Sequence, residues 1–248
     1  MKFYIGLCDP PHIEKLRVPY MMSVRRLMNR KSTVWGEDWL MDSAGFTELA
    51  MHGKYVIEED EYIETILRFR PTLAFCQDWM CEAPILAKTG LDIETHQHRS
   101  LFSYLSMSEK TPRVAPVLQG QEVEDYMLHA EMHENAKVDM NQVFGIGSVC
   151  RRSTTEAPAE IILSLKNRWP ELKLHAFGLK TVAFKNRDIV NNLWSADSMA
   201  WSFWGRRNSP LPCIECIRKT FNCQNCDICA GIWLKRVMEV LRKGEENV

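Results

Sequence analysis

The chain has 248 residues, 46% of them hydrophobic and 25% charged, with a formal net charge of −1. That length can bury one sizeable core, and the composition is ordinary for a globular protein. No apolar run reaches the roughly 18 residues that a bilayer-spanning helix needs, and the opening Met1–Pro11 stretch lacks the long apolar core and cleavage site of a secretory signal, so a cytoplasmic chain with reduced thiols is expected.

Short apolar runs recur along the chain: Phe3–Leu7, Trp39–Asp42, Thr72–Asp78, Val114–Gln119, Gln142–Ser148, Lys173–Gly178 and Asn192–Asp197. Segments with helical spacing lie between most of them, among them Glu59–Arg70, Glu122–Asn135 and Pro158–Arg168. Strand followed by helix, repeated, argues for parallel strands joined by crossover helices. The expected fold is α/β, a TIM-type (β/α)8 barrel or a trimmed version of it, with a doubly wound open sheet as the alternative. Seven strands are legible where a closed barrel needs eight, and the region Phe203–Arg206 is the candidate for the eighth. A further helix-like stretch, Gly231–Lys243, follows a cysteine cluster, so residues 1–209 are read as a barrel and residues 210–248 as a small appendix. The acidic excess falls in residues 1–150 and the basic excess in residues 151–248, which suits a polyanionic partner.

The strand ends carry the chemistry. Asp42 closes WLMD and is followed by Ser43, Asp78 closes TLAFCQD, Gln119 closes VAPVLQ, Gly145-Ile146-Gly147 closes QVFGIG, and Asp197 closes LWSAD. Parallel β/α folds bring these ends to one rim, so three carboxylates, a carboxamide and a glycine-rich turn are expected in one cup. No strand ends on a lysine for Schiff-base work, and the chain has no phosphate-binding P-loop motif. Carboxylates can attack a sugar carbon or act as general acids and bases, and Asp and Gln can bond the edge of a purine. The cup therefore suits glycosidic chemistry on a nucleoside. Lys180, Arg151, Arg152, Arg206 and Arg207 all lie just past strand ends and are candidate phosphate contacts. Trp194, Trp201, Phe203 and Trp204 surround Asp197 in sequence and are split between core packing and stacking on bases. His175, inside an apolar run, reads as a core histidine.

Cys213, Cys216, Cys223, Cys226 and Cys229 repeat the CxxC spacing. Thiolates so spaced can turn toward one ion, and four of them complete a tetrahedron, with Cys223 or Cys229 left over; a structural zinc site is expected, with an iron–sulfur cluster as the alternative.

Several segments resemble the tRNA-guanine transglycosylase superfamily. MDSAGF (Met41–Phe46) is similar to its DSGGFQ motif, VLQGQ to its VQGG segment, and FGIGSV (Phe144–Val149) to its base-binding turn. LWSADSMAWSFWGRR (Leu193–Arg207) resembles the segment that carries the nucleophile. The SADSMAWS wording and the short chain are closer to the DpdA branch, which exchanges guanine for a 7-deazaguanine in DNA. The resemblance implies that Asp197 is the nucleophile and Asp42 the general acid/base. It implies that Ser43, Asp78, Gln119, Gly145, Ile146 and Gly147 hold the base, and that DNA and a 7-deazaguanine base are the partners. The superfamily's zinc site uses three cysteines and a histidine, and no histidine follows Cys229, so an all-cysteine zinc site is the simpler expectation here. The same exchange on tRNA, or a non-catalytic zinc-containing nucleic-acid-binding subunit, are the alternatives.

Overall fold

The computed structural model describes residues 1–34, 36, 38–149, 156–207 and 223–242. Among these described residues nine strand segments run in chain order: β1 Lys2–Gly6, β2 Tyr20–Ser23, β3 Trp39–Asp42, β4 Leu73–Phe75, β5 Val114–Ala115, β6 Val117–Leu118, β7 Val143–Ile146, β8 Lys173–Ala176 and β9 Ser195–Ser198. They form one sheet in the order β5-β4-β3-β2-β1-β9-β8-β7-β6, and the pairs within it are parallel.

The two edge segments of this sheet, β5 and β6, are consecutive in the chain and separated only by Pro116. Proline has no N–H to give a ladder and interrupts it. Its carbonyl still accepts from Gly145 N at 2.8 Å. One stretch, Val114–Leu118, thus pairs with β4 on one side and β7 on the other. The chain itself closes the ring, and eight staves make a parallel barrel of the TIM type.

The seven strands legible in the sequence are all present. The eighth stave is β2, which the sequence pattern did not reveal. Phe203–Arg206 is no strand: it lies in a helix, Ala200–Arg207. The reason is periodicity. Trp201, Ser202 and Gly205 are buried there while Phe203, Trp204, Arg206 and Arg207 are exposed, which is a helical face.

The helices are α1 Pro11–Leu16, α2 Gly45–His52, α3 Glu59–Phe69, α4 Ala83–Thr89, α5 Ile93–Lys110, α6 Val123–Asn135, α7 Glu156–Arg168, α8 Arg187–Asn192, α9 Ala200–Arg207 and α10 Asp227–Arg242. In α3 the buried Tyr62, Ile63, Ile66 and Phe69 repeat every three or four residues, and Glu59, Asp60 and Glu61 meet the positive end of the helix dipole. A reciprocal capping box between Glu122 and Asp125 starts α6. Ala230, Val237 and Leu241 of α10 belong to the main core, and Trp233 packs on Phe3 with ring centroids 5.9 Å apart. No helix among the described residues is long and apolar enough to cross a membrane.

Candidate active site

A cavity of about 700 Å³ opens at the C-terminal rim of the barrel, lined by Asp42, Asp78 and Asp197 together with Gly147, Phe46, Phe177 and three arginines. Asp42 ends β3 in register with Ser23 of β2, and its Oδ2 accepts from Ala44 N at 3.2 Å. Ala44 is left-handed, with φ 67°, and the bend carries the chain into α2. Gly45 follows because a Cβ there would stand 2.6 Å from Tyr55 OH and 3.0 Å from the Asp78 carbonyl.

Burial, reinforced by the negative charges of Asp78 and then Asp197, pushes the Asp42 carboxyl up from 3.8 to about 7. The bonds from Ala44 and Ser23 hold it back only in part. A group so placed can hold or release a proton near neutrality.

Asp78 is raised too, chiefly by burial, while Ser43 and Gln119 counteract the shift. Its Oδ1 accepts from Ser43 Oγ at 3.0 Å and its Oδ2 from Gln119 Nε2. Gln119 Oε1 in turn accepts from Ser148 Oγ at 2.8 Å. The amide is fixed from behind: Gln119 N donates to His129 Nδ1 at 2.9 Å, and Gln97 Nε2 donates to Gln119 O at 2.8 Å. Tyr126 OH donates to Gly147 O at 2.7 Å. A Cβ on Gly147 would fall 2.0 Å from Gln119 Nε2, so the turn must be glycine for this carboxamide to sit where it does.

Asp197, in β9, is 8% exposed and faces the same cavity. Its Oδ1 accepts from Gly178 N at 2.8 Å. His175 Nε2 stands 3.5 Å from that oxygen.

The residues singled out in the sequence therefore fall in layers. Asp42, Asp78, Asp197 and Gly147 line the cavity. Ser43 and Gln119 stand one step back, bonded to Asp78. Gly145 and Ile146 are buried within β7, and a Cβ on Gly145 would meet the Phe177 ring at 2.6 Å. Arg206 lines the cavity and its Nε donates to Gln224 Oε1 at 3.0 Å, whereas Arg207 stacks on Phe203 at 4.3 Å. Lys180 is exposed at the start of a 3-10 turn, Thr181–Lys185. Arg151 and Arg152 lie outside the described residues.

Of the four aromatics near Asp197, Trp201 is buried with Nε1 donating to Gly6 O at 2.9 Å, and Trp194 packs beside Tyr4. Phe203 and Trp204 are 47% and 52% exposed.

Sequence reasoning missed Arg25 and Arg26, which reach the cavity from the turn after β2. Without β2 there was no strand end to search. Arg25 is paired with the buried Glu48. Phe46, Phe177 and Met199 also line the cavity, and they offer apolar faces to a flat ligand.

Cys223 and Cys229 are buried and pack with Cys226 and Ile228. Cys213 and Cys216 lie outside the described residues. Among the described residues alone, no three His, Cys, Asp or Glu side chains form a metal-binding group.

A closed parallel barrel with carboxylates gathered at its C-terminal rim has the architecture of barrel enzymes. The chain matches, over residues 1–246, the family DpdA, described as DeoxyPurine in DNA protein A. It belongs to that family, the DpdA branch of the tRNA-guanine transglycosylase superfamily. Comparison with curated proteins gives no match.

Proposed function

We propose that the protein exchanges guanine in DNA for a 7-deazaguanine base, such as the 7-cyano form, through a covalent glycosyl–aspartate intermediate. Membership of the DpdA family supports DNA as the substrate. The observation that carries the chemistry is the pairing, in one cavity, of Asp197 with an Asp42 carboxyl raised to about 7.

In this reading the target nucleotide leaves the stack, at a cost of a few kcal/mol, and its base enters between the apolar faces of Phe46 and Phe177. Asp78 meets the base edge, and Ser43, Gln119 and Ser148 hold Asp78 and its surroundings in place. Asp197 attacks C1′ as the bond to guanine breaks, and the proton of Asp42 goes to the departing base. The incoming 7-deazaguanine returns a proton to Asp42, its nitrogen attacks C1′, and the ester bond to Asp197 breaks. One N-glycosidic bond replaces another, so no external energy source is required. Arg26 and Arg206 on the rim suit the phosphates beside the flipped nucleotide, and Lys180 and Arg207 extend that surface; Arg151 and Arg152, outside the described residues, are proposed as phosphate contacts from their place in the sequence.

The same reading treats residues 1–209 as the catalytic barrel and residues 210–248 as an appendix with a structural zinc ion. Its support is the thiol donor set at CxxC spacing, part of which packs together in Cys223, Cys226 and Cys229. Such an ion would staple the segment that bonds Arg206 through Gln224.

Incubation with duplex DNA and radiolabelled guanine tests the proposal. Label enters DNA, not tRNA, and the Asp197→Ala protein transfers none. Label entering tRNA alone, or persisting with Asp197→Ala, overturns it.

A further inference from the structure

One buried polar side chain in the barrel wall has a nitrogen aimed at the carboxylate proposed to react. His175 of β8 is fully buried and in register with Ser195 of β9. Its Nδ1 lies 2.7 Å from Ser195 Oγ. Its Nε2 makes no formed hydrogen bond and stands 3.5 Å from Asp197 Oδ1. The rings of Tyr4, Phe75 and Phe177 surround it, with centroids 6.1, 5.0 and 5.1 Å away.

The neighbours decide which nitrogen carries the proton. A serine hydroxyl can donate or accept, whereas an ionised carboxylate only accepts. With the proton on Nδ1, the Nε2 lone pair would face the Asp197 oxygen across 3.5 Å of aromatic-walled space. With the proton on Nε2, Ser195 donates to Nδ1 and Nε2–H points at Asp197. Only the second tautomer satisfies every group.

Both donors then converge on one oxygen. Gly178 N donates to Asp197 Oδ1 at 2.8 Å, and His175 Nε2 faces the same Oδ1. Asp197 itself lines the cavity.

We infer that Ser195 and His175 form a positioning relay that, together with Gly178, pins Oδ1 of Asp197 and leaves Oδ2 as the attacking atom. The inference rests on Asp197 being the nucleophile. The imidazole donates from Nε2 throughout and transfers no proton. When Oδ2 bonds C1′, Oδ1 becomes the ester carbonyl oxygen. When the incoming base breaks that bond, the electron pair returns to the carboxylate, where Gly178 and His175 stabilise it as a leaving group. The separation of 3.5 Å is longer than a formed hydrogen bond, as is common before substrate tightens a catalytic site.

The test uses the full chain with His175→Phe, which keeps an aromatic ring in the aromatic cage, and His175→Gln, which restores an N–H donor. Exchange is followed with labelled guanine and duplex DNA, and the imidazole nitrogens of the wild type are observed by 15N NMR. The Phe variant loses on the order of a hundredfold in kcat, the scale of a misplaced reacting group, with KM for DNA and for guanine unchanged. The Gln variant recovers part of that loss. NMR shows the proton on Nε2, and its signal moves in Asp197→Asn. Equal kcat in all three proteins, equal losses in both variants, or a proton on Nδ1 overturns the relay. Loss of exchange in Asp197→Ala with full activity in His175→Phe sinks only this inference. A wild type that exchanges no base sinks the function reading and with it the attack by Oδ2, whatever the tautomer.

Discussion

Replacing Asp42 by asparagine should stabilise the protein more in alkali than in mild acid. The folded state holds this carboxyl at about 7 against an ordinary 3.8. Below pH 4 both folded and unfolded chains carry the proton. Between pH 4 and 7 only the folded chain does, so the contribution of this group to stability falls as pH rises across that window and is flat above it. The full span corresponds to about 4 kcal/mol, at about 1.36 kcal/mol for each pH unit. Asparagine has no charge to desolvate, but it weakens the charge-assisted bond from Ala44, worth about 1–2 kcal/mol. The net gain in Asp42→Asn is then about 2 kcal/mol at pH 8.5 and smaller at pH 5, where the folded carboxyl still carries its proton and only about a third of that span has been lost. Urea unfolding of both proteins at the two pH values measures it. A variant no more stable at pH 8.5 than at pH 5, relative to wild type, would refute the claim that this carboxyl is held against its preference.

Other outcomes follow from the same geometry. Gly147→Ala forces the Gln119 carboxamide to move, and the strain costs about 1–3 kcal/mol; calorimetric guanine binding should weaken along with the urea midpoint. Arg26→Ala and Arg206→Ala should each lower the slope of log DNA affinity against log salt by about 1, read by fluorescence anisotropy, with unchanged slopes contradicting a phosphate role. Elemental analysis of the purified protein should find one zinc per chain, and Cys226→Ser should lose it; a zinc-free, folded, active protein would remove the staple.

Seven of the eight staves were legible because apolar runs such as Gln142–Ser148 stop abruptly at residues with a job in the cavity or beside it. The eighth, Tyr-Met-Met-Ser in β2, has no β-branched residue and no alternation to separate it from a helix. Helix α5 escaped notice for a related reason: its buried face includes His96, Gln97, Ser100 and Ser103, which serve hydrogen bonds rather than hydrophobic contact. Gln97 there holds Gln119, so a polar helix face is the foundation of the site.

The three carboxylates could be placed at one rim from their strand ends alone. What the sequence could not convey was depth: Gln119 and Ser43 act through Asp78, Gly145 and Ile146 lie within the wall, and the arginines after β2 join the rim. His175 looked like a core histidine, and it is buried as expected. Only the register of β8 against β9 shows that its second nitrogen faces Asp197.

The central claim is that Asp197 bonds the sugar. Mixing the protein with labelled duplex DNA without an incoming base, then denaturing and digesting it, isolates any covalent DNA–peptide. The account predicts an adduct on the peptide containing Asp197, released when a 7-deazaguanine is added first and absent in Asp197→Ala. An adduct mapped to Asp42 or Asp78, or exchange that proceeds at full rate in Asp197→Ala, would contradict it.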